Sequence, residues 1–125
     1  MAADVLIAPA QTVKNILKQL PNLLAVAVVE TETGMALAAH SNIADFDIDT
    51  AAAYNTEVVK QKLKAIAALK LNQTIQDILL TLTDQLHLLK LSADGSRFIY
   101  LAVNARDTNL AVARQVLKAE TAVLQ

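Results

Sequence analysis

The chain has 125 residues, enough for one hydrophobic core and too few for two; 54% of them are apolar and only 3% aromatic. Its core must be assembled from Ala, Val, Ile and Leu, and so large an apolar share in so small a chain leaves surface for a partner to cover. Eleven basic residues against twelve acidic ones give a net charge of -1, without the positive field that nonspecific nucleic-acid binding needs, and the lack of cysteine excludes disulfides, thiolate metal sites and cysteine nucleophiles.

At the start, "MAADVLIAPAQ" carries an acid in place of a basic n-region and only a brief apolar run, so no signal peptide is expected. No apolar stretch reaches spanning length, since "LPNLLAVAVVE" stops at Glu30. A cytoplasmic protein without membrane insertion is the expectation. After Pro9, which suits a helix's first turn, Val13, Ile16, Leu17 and Leu20 recur at helical spacing up to Pro21. "LLAVAVVE" then reads as a buried strand, "TETG" as a turn that puts Gly34 where positive φ is cheap, and "MALAAH" as the returning strand of a hairpin.

The loop "SNIADFDID" leads into a long helix predicted from about Ile48 to Leu69, with Val59, Leu63 and Ile66 on one stripe and Lys60 and Lys64 on another, Glu57 one turn before them. Three strands follow, "TIQDILLTLT", "QLHLLKLS" and "RFIYLAVN", joined by links so short that they demand antiparallel pairing. In the closing helix Leu110, Ala113, Leu117 and Leu124 keep helical spacing, and "NARDT" before it reads as punctuation, with Asp107 or Thr108 able to cap. The order α-ββ-α-βββ-α, with no repeat or linker, predicts a single domain over 1–125 with its core at about 10–124. The first and last strands are apolar on both alternating faces, which calls for helices on both sides of the sheet. The predicted fold class is α/β (α+β): a three-layer α/β/α sandwich around one five-stranded antiparallel sheet.

Few residues suggest chemistry. Asp45, Asp47 and Asp49 are spaced like the opening of a calcium loop, but Thr50 and Thr56 stand where that loop needs Gly and Glu. Helix capping by Asp47 or a neighbour is the favoured reading, and no metal or cofactor is expected. His40 and His87 lack ligand partners at suitable spacing and read as structural. Ser41, Ser92 and Ser96 lie in no nucleophile elbow, and Gly34 and Gly95 are too few for a phosphate loop. No catalytic residue is therefore assigned, and the chain is not expected to be an enzyme. Lys60, Lys62, Lys64 and Lys70 read as a solvated helix face; Glu57 and the lack of an aromatic among them argue against a membrane-surface helix.

Four phrases together resemble the roadblock/dynein light-chain family, in its bacterial small-GTPase-regulator branch: "LLAVAVVETETGMALA", "DFDIDTAAAYNTEVV", "DILLTLTDQLHLLKLSADGSRFIYLAV" and "NLAVARQVL". One local departure is that no glycine follows the central helix, where "LKLNQT" stands. The resemblance implies a roadblock/profilin-like fold and a homodimer whose central helices lie side by side, through Val58, Lys62 and Ala65, while third strands join two sheets through Ile78, Leu80 and Leu82. The residues agree on the strand, which has few gatekeeping charges and invites pairing. The resemblance further implies a platform on the joint helix face for a small Ras-like GTPase or a larger assembly. Tyr54, Glu57, Lys60, Gln61 and Lys64 are the partner-binding candidates, facing outward when Val59, Leu63 and Ile66 pack on the sheet. Because Arg97, Arg106 and Arg114 lie near element ends or in the last helix, any effect on hydrolysis is expected to work through the GTPase's own groups. The alternative is a scaffold light chain without effect on nucleotide turnover.

Overall fold

A computed structural model describes residues 6–125. Residues 1–5, on which the reading of the N-terminus as lacking a leader partly rests, lie outside the described residues. The elements are α1 (Pro9–Gln19), β1 (Ala25–Glu30), β2 (Ala36–Ser41), α2 (Ile48–Ala68), β3 (Ile78–Thr81), β4 (Gln85–Leu91), β5 (Arg97–Asn104) and α3 (Leu110–Ala122). The strands form one antiparallel sheet in the order β2-β1-β5-β4-β3, so β2 and β3 are its edges.

The double-sided apolar strands explain the layering. Val26, Val28, Ile99, Leu101 and Val103 point to one face, where Val13 and Ile16 of α1 and Ala113, Val116 and Leu117 of α3 cover them. Ala25, Ala27, Val29, Phe98, Tyr100 and Ala102 point to the other, where Ala52 and Val59 of α2 join them. Nearly every residue of β1 and β5 is buried, which is what a central strand covered on both sides requires. The expected three-layer sandwich is therefore the observed one. No helix of the described residues is long and apolar enough to cross a membrane.

Three local expectations need correction. The third strand is four residues long rather than spanning "TIQDILLTLT": pairing with β4 begins only at Ile78 opposite Leu89. The chain before it must first cross from the end of α2, and the Lys90 ammonium donates to the Gln76 carbonyl at 2.6 Å where a ladder bond would otherwise stand. The cap of α3 is Asn109, whose side-chain oxygen accepts from the Val112 amide at 3.2 Å, and not Asp107 or Thr108. The helix starts at Leu110, so those two residues stand too early to reach its orphan amides. Finally, Leu63 is exposed instead of packing on the sheet. The missing glycine after α2 is accommodated differently: Lys70 itself takes a left-handed conformation at φ 55°. Leu71 N–H donates to Ile66 O and Lys70 N–H to Ala67 O, both at 3.1 Å, closing a Schellman motif around a lysine.

Candidate partner-binding surface

The surface is built outward from the lead-in to α2. Asp45 turns the chain at φ 61°, a conformation aspartate tolerates, and Asp47 caps the helix. Its carboxylate accepts the Thr50 amide at 3.0 Å and the Thr50 hydroxyl at 2.6 Å. These two bonds, the hydroxyl first, hold its pKa below the ordinary carboxylate value. Asp47 thus serves the capping role. Among the described residues no group of three or more His, Cys, Asp or Glu is placed to hold a metal.

The first part of α2 is clamped to the β1–β2 hairpin. Ala52, Thr56 and Val59 are buried against the sheet. Gly34, at φ 77°, lets the turn approach so closely that a Cβ there would stand 3.4 Å from Thr56 Oγ1. Lys60 then donates from Nζ to the Glu32 carbonyl at 2.9 Å. Beyond Lys60 the helix leaves its support. A helix of 21 residues runs about 31 Å at about 1.5 Å per residue, whereas the six residues of β1 beneath it extend about 20 Å. Val59 is fully buried, but Leu63, one turn on, is 40% exposed. Leu63 and Ile66 instead roof a cleft of about 470 Å³ whose far side is formed by residues 73–76 and the β4–β5 turn.

The candidate residues divide accordingly. Tyr54 is 72% exposed, and Glu57, Gln61 and Lys64 are exposed around it. Lys60 departs from the expectation of an outward charge, because it is half-buried and tied to the hairpin. Val58 is half-buried against the core on the α2 side, whereas Lys62 and Ala65 are exposed. Tyr54, Val58, Gln61 and Ala65 follow the i, i+4, i+7, i+11 rule and line one flank of the helix. On β3, Ile78 is half-buried and packs on the α2 side of the sheet; Leu80 shares that side and is exposed, as is Leu82 just past the strand's end. One face of the molecule therefore carries both a helix unsupported beyond Lys60 and an uncovered apolar sheet edge.

The other candidates are structural in their contacts. His40 Nε2 lies 2.7 Å from Asn42 Oδ1. His87 Nε2 meets Gln85 Oε1 at 2.8 Å, and its ring stands edge-on to Tyr100 with centroids 5.5 Å apart. Burial pushes the His87 pKa down and the Tyr100 phenol up to about 12. Ser92 and Ser96 donate to Asp94 in the turn around Gly95, at 2.9 and 2.7 Å, while Ser41 donates to the Ile43 carbonyl. The Ser96 amide, then the two hydroxyls, lower Asp94 to about 2. Of the arginines, Arg97 lies 3.5 Å from Glu30 and Arg106 is exposed. Arg114 grips Asp77 through two bonds of 2.8 and 3.1 Å, fastening α3 to the approach of β3. That clamp escaped sequence reasoning because 37 positions separate its partners and nothing local marks either one.

No family model and no curated protein matches the sequence. Solved structures do match. MglB of Myxococcus xanthus superposes with a TM-score of 0.76 over 89% of this chain and 89% of its own, at 11% identity. A Roadblock/LC7 domain from Streptomyces avermitilis gives 0.76 over 90% of each chain at 12% identity. The gliding protein MglB of Thermus thermophilus gives 0.74 over 95% of this chain and 91% of its own at 16% identity. With five antiparallel strands, three helices and the order α-ββ-α-βββ-α, the chain has the roadblock/LC7 fold.

Proposed function

We propose that this chain, as a single roadblock-like domain, is a cytoplasmic, noncatalytic homodimeric regulator or adaptor that binds a small Ras-like GTPase and modulates its hydrolysis or localisation. The observation that carries this reading is the pairing of two uncovered surfaces on one side of the sheet: the α2 flank with Tyr54, Gln61 and Ala65, and the β3 edge with Leu80 and Leu82. Two copies meeting through β3 would extend the sheet and bring their α2 helices together as one broad face. The likeness in fold to MglB structures supports the same assignment. In this reading Tyr54 is the anchor, Gln61 supplies an amide, and Glu57 and Lys64 form the charged rim. Arg97 is tied to Glu30 and Arg114 to Asp77, and the exposed Arg106 lies in the loop between β5 and α3 and not on α2, so in this reading any acceleration of hydrolysis works by repositioning the GTPase's own groups. The scaffold light chain is the competing assignment, and it predicts the same dimer without any change in turnover. The test is to mix the protein with each GTP-loaded Ras-like GTPase of the same cell and measure complex formation and phosphate release. A stable complex with a changed release rate is expected. If none of those GTPases binds, the regulator reading fails and the scaffold reading takes its place.

A further inference from the structure

The opposite edge of the sheet, β2, carries a second opening that neither α2 nor β3 touches. Among the described residues no strand pairs with its outer side. From Met35 to Ser41 the chain has no Lys, Arg, Asp or Glu, and Met35 and Leu37 are 63% and 40% exposed. Edge strands that must stay unpaired are usually protected by inward charges or proline, and β2 has neither. Its register also sets which backbone groups look outward. The Asn42 amide donates to Leu24 O, so His40 and Ala38, two and four residues back, are the positions bonded inward to Val26 and Val28. Ala39 and Ser41, opposite Ala27 and Ala25, turn their N–H and C=O groups away from the sheet.

A bulge completes the site. Val28 pairs with Ala38 and Val29 with Ala36, which leaves Leu37 as the extra residue. Bulges re-aim side chains, and Leu37 here overhangs a groove of about 520 Å³ walled by Val13, Lys14 and Leu17 of α1. The helix beside the groove, "PAQTVKNILKQ", contains Lys14 and Lys18 and no acid. The hairpin carboxylates are Glu30, the last residue of β1 opposite Met35, and Glu32 in the turn, and Glu30 is engaged by the Thr33 hydroxyl and Arg97. A second copy placed here would oppose lysine to lysine, so the charge favours a foreign acidic strand over self-pairing.

We infer that β2 and the α1 groove form a strand-addition site for an extended segment of another protein, one that pairs with Ala39 and Ser41, sets an apolar side chain beside Leu37 and Leu17, and points a carboxylate at Lys14. The site lies at the far edge of the sheet from β3 and on the side away from α2, so it stands whether or not the GTPase reading does.

The probes are two capped peptides of alternating valine and threonine, one with central glutamates and one with central lysines. Titrated into the isotope-labelled protein, the glutamate peptide is expected to shift the amides of Ala39, Ser41 and α1, and to bind about tenfold more tightly than the lysine peptide, with Lys14→Glu reversing that order. Ala39→Pro deletes an outward N–H while sparing the inward ladder, and is expected to abolish binding with an unchanged melt. Should it fail to fold, Leu37→Lys replaces it, and binding is again expected to be lost. Three results would each overturn the inference: no β2 shifts with either peptide at millimolar concentration, equal binding of both peptides, or a fall in the protein's own mass on either substitution. The last would make a second copy the occupant.

Discussion

Single residues in this chain do work that their types alone do not reveal. Lys70 occupies the left-handed position after α2 that glycine ordinarily fills, and a side chain there costs about 1–2 kcal/mol. Lys70→Gly is therefore expected to raise stability by about 1 kcal/mol in denaturant titration; a loss would mean that the lysine makes a compensating contact. At the start of α3, Asn109→Ala is expected to cost about 0.5 to 2 kcal/mol, the usual loss of a cap, whereas Asp107→Ala should stay within about 0.5 kcal/mol because Asp107 precedes the cap. Equal costs for the two would return the capping role to "NARDT". His87 adds a pH effect whose sign follows from its burial. Its pKa is lowered in the folded protein, so the unfolded chain binds the proton more readily. Stability is then full above the ordinary histidine value of 6.5 and falls as pH drops from there toward the folded pKa. Asp47 and Asp94, whose pKa values are lowered from 3.8, contribute stability above that value that is lost only at lower pH. A melt at pH 5 compared with one at pH 7.5 therefore isolates the histidine, and the difference should shrink in His87→Gln. An undiminished difference would exclude His87 as its source.

At the level of elements, periodicity was sufficient wherever local pattern and tertiary support agree. α1 begins at Pro9 and ends just before Pro21, α2 begins directly after Asp47, and β5 is "RFIYLAVN" residue for residue, because strands apolar on both sides fit only the middle of a covered sheet. The pattern misleads where an element outruns what lies beneath it. Leu63 and Ile66 keep the heptad-like spacing of Val59, yet they reach past the hairpin and leave a cleft. Strand three reads as ten residues of β-forming sequence, but only those opposite β4 find partners. The candidate surface was legible as a helix face, Tyr54, Glu57, Gln61 and Lys64 among it; Lys60 was not, since its bond to the Glu32 carbonyl joins residues 28 apart. The Arg114–Asp77 clamp belongs to the same class of invisible contact. It fastens the approach to β3, so Arg114→Ala is expected to speed amide exchange in Ile78–Thr81 while leaving that in β1 unchanged. Unaltered exchange in β3 would show that pairing with β4 alone holds the edge.

For the whole molecule the question is what covers the side that α2 and β3 leave open. The proposed homodimer through β3 would account for both surfaces, and it separates two sets of residues that act on different measurements. In the proposed dimer Leu80, exposed on the edge strand, is assigned to assembly, and Tyr54 and Lys64, exposed on α2, are assigned to the partner. Leu80→Lys places a charge on the joining edge and is expected to reduce the mass in light scattering from two chains to one at micromolar concentration, with the helical signal retained. Lys60 is a poor probe of the platform because its substitution would also release the hairpin. Tyr54→Ala is the better one. An exposed tyrosine buried on binding is worth about 2 kcal/mol or more, so affinity for the GTPase should fall by about thirtyfold while the dimer mass and the melt are kept. Lys64→Glu should act differently, slowing association at low salt and flattening the salt dependence with little effect on dissociation. The pair of variants therefore reports anchor and rim separately. If both bind the GTPase as the parent does while Leu80→Lys still halves the mass, the dimer stands and its helix face is not the platform. If Leu80→Lys leaves the mass unchanged, the joined sheet itself is wrong, and the uncovered β3 edge must be occupied by something other than a second copy.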